Sequence, residues 1–373
     1  MGRYRRIITV TIIVLVAGVI RIYFAVNCKA LPDYSDMALY NSLAMSDGIP
    51  TVPPPGYPIF LRAIYSIFGA YNYKAVFVIQ ALVSSLTVLI IYWVSSRIAG
   101  FKAGVISAII TCFYPFFIAY NLTTLTESLS LLIVALVMAS FQLPSEKKFK
   151  EPLTAFIMCL GYLIRPPLMY FWPGVLICQK RKVAFIAATA ILLVPWITYT
   201  TATGQTSNRI ARALYKSYNE KSNGKVYVNV PDTKLKSMDL SSGEYIRGAL
   251  EFMKNNKMQT LDILLGKVSV IFSAGYDSWV LKKIIGDEHY MKTIFRHVYL
   301  PIMIFGFVGL IRLCSKRNRH LAIMLFSYLF FNILTAIFKV RYRLMIEPIL
   351  IVYASILLGG FRIPGRGRNE KRV

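Results

Sequence analysis

About ten long apolar runs alternate with shorter polar stretches along the chain. A helix needs about 20 mostly apolar residues to cross a bilayer, and most of these runs approach that length. Because they are apolar on all sides, helices are favoured over the alternating strands of a membrane barrel. The pattern predicts an all-α polytopic membrane protein with about ten transmembrane helices, over residues 7–26, 75–96, 103–120, 125–143, 152–166, 167–178, 183–201, 298–311, 321–338 and 344–361.

The basic residues predict the orientation of these spans. If the N-terminus lies inside and the spans alternate, the inner segments comprise 45 residues and contain 20 Lys and Arg. A Lys and Arg bias in short loops sets orientation, so we expect both termini to be cytoplasmic in a multi-pass plasma-membrane protein. The first run is longer than the apolar core of a signal peptide, so we expect an uncleaved first span.

Composition supports a membrane protein over a soluble one. Hydrophobic residues make up 56% and charged residues 16% of the chain, whereas about 25% is charged in an ordinary soluble domain. The net charge of +26 is largely explained by the inner loops, so we expect no nucleic-acid partner. The five Cys and three His show no disulfide or metal-binding spacing.

The spans divide the chain into three regions. Residues 1–201 form an N-terminal transmembrane module with a first outer loop at 27–74. Residues 202–297 form a large outer loop, and residues 298–373 form a C-terminal module with a basic cytoplasmic tail. Most acidic residues fall on the outer side, so we expect the working surface to face outward.

The first outer loop contains a carboxylate at a predicted helix start. Asp36, Tyr40 and Ala44 are spaced i, i+4 and i+8, so they share one face of a helix. A carboxylate at a helix start is also a natural cap, and a cap without chemistry is the simpler interpretation of Asp36 alone.

A proline-rich stretch, residues 53–58, follows in the same loop. It reads P-P-P-G-Y-P, and its prolines predict that no helix forms before Pro58. The amphipathic stretch after it is expected to lie as a helix in the membrane interface. The turn is interpreted either as a rigid connection or as the wall of a cleft that contains Tyr57.

Three charged residues lie in or beside predicted spans. Glu127 starts the outer end of the fourth span, where a carboxylate faces a cavity or a partner or caps the helix. Arg165 and Arg21 lie at the outer ends of the fifth and first runs. Both arginines are expected to extend towards the membrane surface, as arginines near helix ends commonly do.

A cluster of cations, Lys339, Arg341 and Arg343, surrounds Tyr342 in a very short predicted outer loop. The positive-inside tendency disfavours three cations there. An anionic ligand at the outer face explains the exception, and arginine suits phosphate because its donors are bidentate. The alternative is simple anchoring to lipid headgroups.

These motifs together resemble the GT-C glycosyltransferases, in the branch that contains the protein O-mannosyltransferases, the lipid A aminoarabinose transferases and the rhizobial galacturonosyltransferases. Each motif is short, but their order along the chain matches. The matching motifs are D-x-x-x-Y-x-x-x-A from Asp36, P-P-G-Y-P with Ile67-Phe68-Gly69, Tyr114-Pro115, Thr126-Glu127, Arg165-Pro166, Pro195-Trp196 and Arg341-Tyr342-Arg343.

The resemblance implies a sugar donor carried on a polyprenyl phosphate and an acceptor at the outer face. An acidic residue of the first loop activates the acceptor in that family, and Asp36 matches it best. The family often has Asp-Glu where this chain has Asp36-Met37. That difference leaves Asp33 as a rival base. We assign no cofactor, and the single aspartate at this position leaves the need for a divalent metal open.

The predicted activity is therefore an inverting glycosyl transfer to a lipid, glycan or protein acceptor, with Asp36 as general base. A transporter or flippase of a lipid-linked anionic sugar, and a surface polysaccharide polymerase or ligase, are the alternatives. Residues assigned to the acceptor or sugar are Asp33, Tyr40, Tyr57 and Glu127, and those assigned to the lipid phosphate are Arg165, Lys339, Arg341, Tyr342 and Arg343.

Overall fold

The protein is helical throughout the residues that the computed structural model describes, and these contain no strand. The predicted all-α class is therefore confirmed. The described residues are 3–29, 36–50, 53–144, 146–203, 209–219, 240–271, 283–284, 288–335 and 340–360.

Every predicted apolar run of the N-terminal half coincides with helix. The 103–120 run is divided at Tyr114, and the run after Arg165 begins with a 3-10 turn, Pro166–Phe171. The helices are α1 (Arg3–Asn27), α2 (Asp36–Met45), α3 (Gly56–Phe68), α4 (Tyr73–Ala99), α5 (Phe101–Phe113), α6 (Pro115–Tyr120), α7 (Glu127–Ser140), α8 (Lys150–Ile164), α9 (Trp172–Cys178) and α10 (Lys182–Ala202).

The C-terminal part contains helices outside the predicted spans and three apolar helices that coincide with predicted spans. A π-helical turn, Phe295–Tyr299, joins the fourth and fifth of these helices. They are α11 (Arg209–Ser217), α12 (Ser242–Asn255), α13 (Lys257–Ile271), α14 (Glu288–Ile294), α15 (Leu300–Leu313), α16 (Arg319–Thr335), α17 (Val340–Arg343) and α18 (Glu347–Leu358).

Four segments among the described residues are long and apolar enough to cross a membrane: Tyr4–Asn27, Tyr73–Ala99, Lys182–Ala202 and Lys292–Leu313. Shorter apolar helices pack among them. The chain is therefore a membrane protein by length and composition, as the sequence predicted.

Helix α18 lies at the centre of the bundle, and its residues from Glu347 to Ile356 are all buried. It packs closely against α15 because two glycines of α15 bring the backbones together. A Cβ atom on Gly309 would lie 2.5 Å from the carbonyl oxygen of Tyr353, and one on Gly306 would lie 2.8 Å from that of Leu350. Small residues allow this approach between membrane helices. The close contact holds α18, the helix that follows the basic cluster, in place.

Two local predictions about α3 and α1 are wrong. Helix α3 begins at Gly56 rather than after Pro58, because a proline in the first turn has no intrahelical bond to lose. Arg21 does not reach the surface: it is fully buried, and it donates hydrogen bonds to Ser84 Oγ at 2.9 Å and to the carbonyl oxygen of Thr111 at 2.8 Å. Backbone carbonyls at a helix end provide the acceptors that make burial of this cation tolerable.

Candidate active site

An ion pair joins the predicted first outer loop to the basic cluster near the C-terminus. Asp36 opens α2, and Arg341 lies in the short helix α17. Arg341 Nη2 donates to Asp36 Oδ2 at 2.6 Å. The side chains remain 30% and 40% exposed, respectively, so this pair lies at an accessible surface. A proposed base and a proposed phosphate ligand are thus in direct contact.

A second, fully buried ion pair lies between Arg165 and Glu127. Arg165 is an extended residue between α8 and the 3-10 turn, and Glu127 is in the first turn of α7. Arg165 Nη1 donates to Glu127 Oε1 at 2.6 Å and to Thr126 Oγ1 at 3.2 Å. The prediction that Arg165 extends to the membrane surface is therefore wrong, because the carboxylate of Glu127 holds it inside.

The ring of Tyr342 connects the two ion pairs. The guanidinium carbon of Arg165 lies 5.2 Å from the ring centroid, and that of Arg341 lies 5.9 Å from it. Aromatic rings attract cations over this distance. Two arginines are thereby held beside each other, each with one carboxylate partner.

Several polar atoms of this cluster have no hydrogen-bond partner among the described residues. They are Arg165 Nη2, Arg341 Nε and Glu127 Oε2. Buried polar atoms in proteins are normally paired. These two donors and one acceptor at one place therefore indicate a ligand that offers acceptor oxygens to the arginines and a hydrogen-bond donor to Glu127.

Two tyrosines of the predicted first outer loop lie beside the two ion pairs. The rings of Tyr40 and Tyr57 meet edge to face with centroids 5.0 Å apart. Burial and the Asp36 carboxylate raise the pKa of Tyr40 to about 12, although Arg341 opposes the shift. Tyr40 therefore remains a neutral phenol at physiological pH and can donate a hydrogen bond. Tyr57 is fully buried, and its hydroxyl donates to Gln80 Oε1 at 3.1 Å.

A buried polar network that sequence reasoning missed holds α2 and α3 in place. Asn41 donates to Thr124 Oγ1 at 3.1 Å and accepts from the hydroxyl of Tyr65 at 2.7 Å. Gln80 donates to the carbonyl oxygen of Thr123 at 2.7 Å. The signal for Gln80 was present in the sequence, because an amide in the middle of an apolar span needs a buried partner.

Gly56 of the proline-rich motif lies directly against the end of α8. A Cβ atom on Gly56 would lie only 2.7 Å from the carbonyl oxygen of Leu163 and 3.0 Å from the amide nitrogen of Ile164. Both residues come just before Arg165. The motif thus lets α3 contact the segment that positions the buried arginine, which gives the turn a concrete role in shaping the site.

Arg343 is also assigned to the lipid phosphate from the sequence, but its environment differs from that of Arg165 and Arg341. It is 1% exposed, and its Nε donates to Glu347 Oε1 at 3.1 Å. Its guanidinium carbon lies 3.7 Å from the ring centroid of Tyr299. The structure therefore gives Arg343 an internal carboxylate partner at the start of α18. Asp33 and Lys339 lie outside the described residues.

No group of three or more His, Cys, Asp or Glu side chains suited to a metal ion occurs in the described part of the chain. Near the cluster, the carboxylates of Asp36 and Glu127 each contact an arginine. The chemistry that this set offers is recognition of an anion by two arginines next to a carboxylate.

The chain also resembles known proteins in sequence and in fold. Residues 52–207 match the family of dolichyl-phosphate-mannose-protein mannosyltransferases. A solved structure of the archaeal oligosaccharyltransferase AglB from Archaeoglobus fulgidus, in complex with an inhibitory peptide and a dolichol-phosphate, has a similar fold with a TM-score of 0.52 at 14% identity.

That similarity covers 95% of this chain and 50% of the AglB chain, so the chain spans half the length of that relative. No curated protein sequence matches. The family match over residues 52–207 confirms the resemblance to the GT-C glycosyltransferases, and the AglB structure shows a similar fold.

Proposed function

We propose that this protein transfers a sugar from a polyprenyl-phosphate donor to an acceptor hydroxyl at the outer face of the plasma membrane. The observation that carries the proposal is the contact between Asp36 and Arg341 beside the buried pair of Glu127 and Arg165. The family match over residues 52–207 supports glycosyl transfer. The dolichol-phosphate in the AglB complex supports a lipid-phosphate donor in general.

Arg341 and Arg165 bind the donor phosphate in this proposal. Each has a buried nitrogen without a hydrogen-bond partner among the described residues, Nε in Arg341 and Nη2 in Arg165. Guanidinium groups bind phosphate oxygens through paired donors. Their charge stabilises the phosphate as it leaves, when negative charge develops on its oxygen. Tyr342 keeps the two arginines side by side, and Lys339 remains a further candidate.

Asp36 acts as the general base. Arg341 holds its carboxylate when no donor is bound, and the donor phosphate competes for that arginine and releases the carboxylate. Asp36 then takes the proton of the acceptor hydroxyl while the acceptor oxygen forms a bond to the anomeric carbon. The bond from that carbon to the phosphate oxygen breaks, and polyprenyl phosphate leaves with the electron pair. A direct displacement of this kind inverts the anomeric centre.

The other polar groups orient the substrates. Glu127 Oε2 has no partner among the described residues and would accept a hydrogen bond from a sugar or acceptor hydroxyl. Tyr40 remains a phenol and would donate one. The hydroxyl of Tyr57 already donates to Gln80. Tyr57 therefore contributes its ring to the side of the site and no hydrogen bond to the substrates. Arg343 stabilises the start of α18 through its ion pair with Glu347 and does not bind the donor.

Residues 202–297 are proposed to carry acceptor determinants outside the membrane, and the lipid tail to lie in a groove between spans. The acceptor is a lipid, a glycan or a protein. Asp33 is retained as the rival base because it lies close to Asp36 in the chain.

The test is transfer in vitro by the detergent-purified protein. The donors are polyprenyl-phosphate sugars with a labelled sugar, and the acceptors come from an envelope extract. We expect label in an acceptor and an equal release of polyprenyl phosphate, both lost in Asp36→Asn. Label that only crosses proteoliposome membranes on an intact lipid would identify a flippase. Transfer only from diphosphate-linked oligosaccharides would identify a polymerase or ligase.

A further inference from the structure

A charged cavity lies at the other end of the bundle from the candidate active site. Helix α7 runs from Glu127 at that site to Ser140, and a helix of 14 residues is about 21 Å long. The cavity, with a volume of about 600 Å³, opens beyond Ser140 among the predicted inner loops. Its size is within the range of small-molecule sites.

Six cations line this cavity, against one carboxylate, that of Glu151. The positive-inside tendency explains why these loops are basic. It does not explain why cations from three separate loops converge on one concave surface. The cations are Lys150, Lys180, Lys182, Lys316, Arg317 and Arg319.

Two buried polar groups of the lining point to a ligand. Gln179 is 4% exposed, and its Nε2 has no hydrogen-bond partner among the described residues. Glu151 is 1% exposed, and its Oε2 likewise has none there. Buried donors and acceptors are normally paired. A ligand that accepts from the amide and donates to the carboxylate would satisfy both.

The cavity also has an apolar side. Phe141, Ile177 and Ile323 contribute to the lining, and the ring of His320 stacks on Phe141 with centroids 4.8 Å apart. Ile177 is 61% exposed, on a helix that the sequence predicts to be within the membrane. An amphiphilic ligand could therefore place its charged group among the cations and its chains along this side.

We propose that this cavity binds a phosphate ester that also carries a hydroxyl donor. The phosphate is recognised by the cations and by Gln179, and the hydroxyl donates to Glu151. A lipid headgroup such as that of phosphatidylglycerol and a soluble compound such as glycerol 1-phosphate present the same chemistry. The site is separate from the proposed transfer site and does not depend on its assignment.

The test measures the thermal stability of the purified protein in neutral detergent during titration with three compounds. These are dioleoyl phosphatidylglycerol, glycerol 1-phosphate and, as a control without a hydroxyl donor, dioleoyl phosphatidylcholine. We expect a saturable rise in the melting temperature with phosphatidylglycerol, with glycerol 1-phosphate or with both. A rise with the first alone identifies a lipid site, and one with the second alone identifies a soluble ligand. No rise with either overturns the proposal, as does an equal rise with phosphatidylcholine.

Variants separate the cavity from general surface charge. The double variant Lys316→Gln with Arg319→Gln removes two lining cations, and Lys147→Gln with Lys148→Gln removes two exposed cations of the same face outside the lining. We expect the first pair to raise the half-saturating concentration about tenfold or more and the second to leave it near that of wild type. Gln179→Leu should also raise it. An equal rise in the half-saturating concentration for both double variants would overturn the proposal. The melting temperature of each variant without ligand establishes that it is folded.

Discussion

Arg341 Nη2 lies 2.6 Å from Asp36 Oδ2, although 305 positions separate the two residues in the chain. The proposed base therefore comes from the predicted first outer loop, and its cationic partner comes from the turn before α18. Because α18 is buried along most of its length, the position of that turn is fixed by the core. The position of this ion pair thus depends on packing at the centre of the bundle.

Arg341 and Arg343 are predicted to respond differently to substitution. Arg341→Gln should reduce transfer by about 10²–10³-fold, because a cation on the leaving phosphate is lost. Its stability should change little, since a partly exposed ion pair contributes at most about 1 kcal/mol. Transfer rates and melting temperatures of the purified variant measure both effects.

Arg343→Met should instead destabilise the fold by about 3–5 kcal/mol, because it leaves the buried Glu347 carboxylate without its cation. The double variant Arg343→Met with Glu347→Leu should recover most of that loss, since apolar residues tolerate the site. If Arg343→Met instead has normal stability but no transfer activity, Arg343 binds the donor phosphate.

Gly56 is predicted to be required for the position of Arg165. A methyl group there would overlap the carbonyl oxygen of Leu163 at 2.7 Å, and overpacking of this kind costs about 1–3 kcal/mol. Gly56→Ala should therefore lower both the melting temperature and transfer. Gly18→Ala is the matched control, because its added carbon would lie 3.8 Å from Ser85 Oγ in ordinary contact. Equal melting temperatures and equal transfer in the two variants would refute the close contact between Gly56 and Leu163.

Lys267 should make stability depend on pH. It is fully buried in α13, where its Nζ contacts the hydroxyl of Tyr218 at 3.3 Å and the carbonyl oxygen of Ile333 at 3.0 Å. Burial lowers the pKa of Lys267 from 10.5 to about 7. Between these values the unfolded chain binds the proton and the folded chain does not, so stability rises with pH from about 7 to 10.5 and is constant below.

The measurement is the melting temperature of wild type and Lys267→Met at pH 7 and pH 9.5. The wild type should gain stability relative to the variant at the higher pH. Parallel behaviour of the two proteins would mean that the folded amine keeps its proton at pH 7.

The orientation of the chain is predicted from its basic inner loops. In a background without native cysteines, Glu251→Cys in the exposed part of α12 should react with an impermeant maleimide added to intact cells. Lys148→Cys should react only after lysis. The reverse pattern would place residues 202–297 in the cytoplasm and refute an outward-facing site.

The helices were predictable because long apolar runs have few alternatives in a membrane. The order of the short motifs also indicated the resemblance that the family match supports, and it singled out Asp36, Glu127, Arg165 and Arg341. The structure places these four side chains in two neighbouring ion pairs.

Partner choice was not predictable, because it depends on three-dimensional proximity. Arg21 and Arg165 both follow the pattern of an arginine near a helix end, yet the first meets backbone carbonyls and the second meets Glu127. Arg343 is only two positions from Arg341, but it pairs with Glu347 one turn along. Sequence spacing alone does not distinguish an arginine at the surface of the candidate site from one that is paired inside the bundle.

The most direct test of the account is the turnover of Asp36→Asn with a labelled polyprenyl-phosphate sugar. Asparagine keeps the shape and nearly the capping ability of aspartate but cannot act as a base. A positioned general base contributes about 10²–10⁴-fold to rate, so turnover should fall by that factor while donor binding and melting temperature are retained. Asp33→Asn, measured beside it, should have a milder effect. Full turnover in Asp36→Asn would contradict the central claim, and loss of turnover in Asp33→Asn alone would transfer the role of base to Asp33.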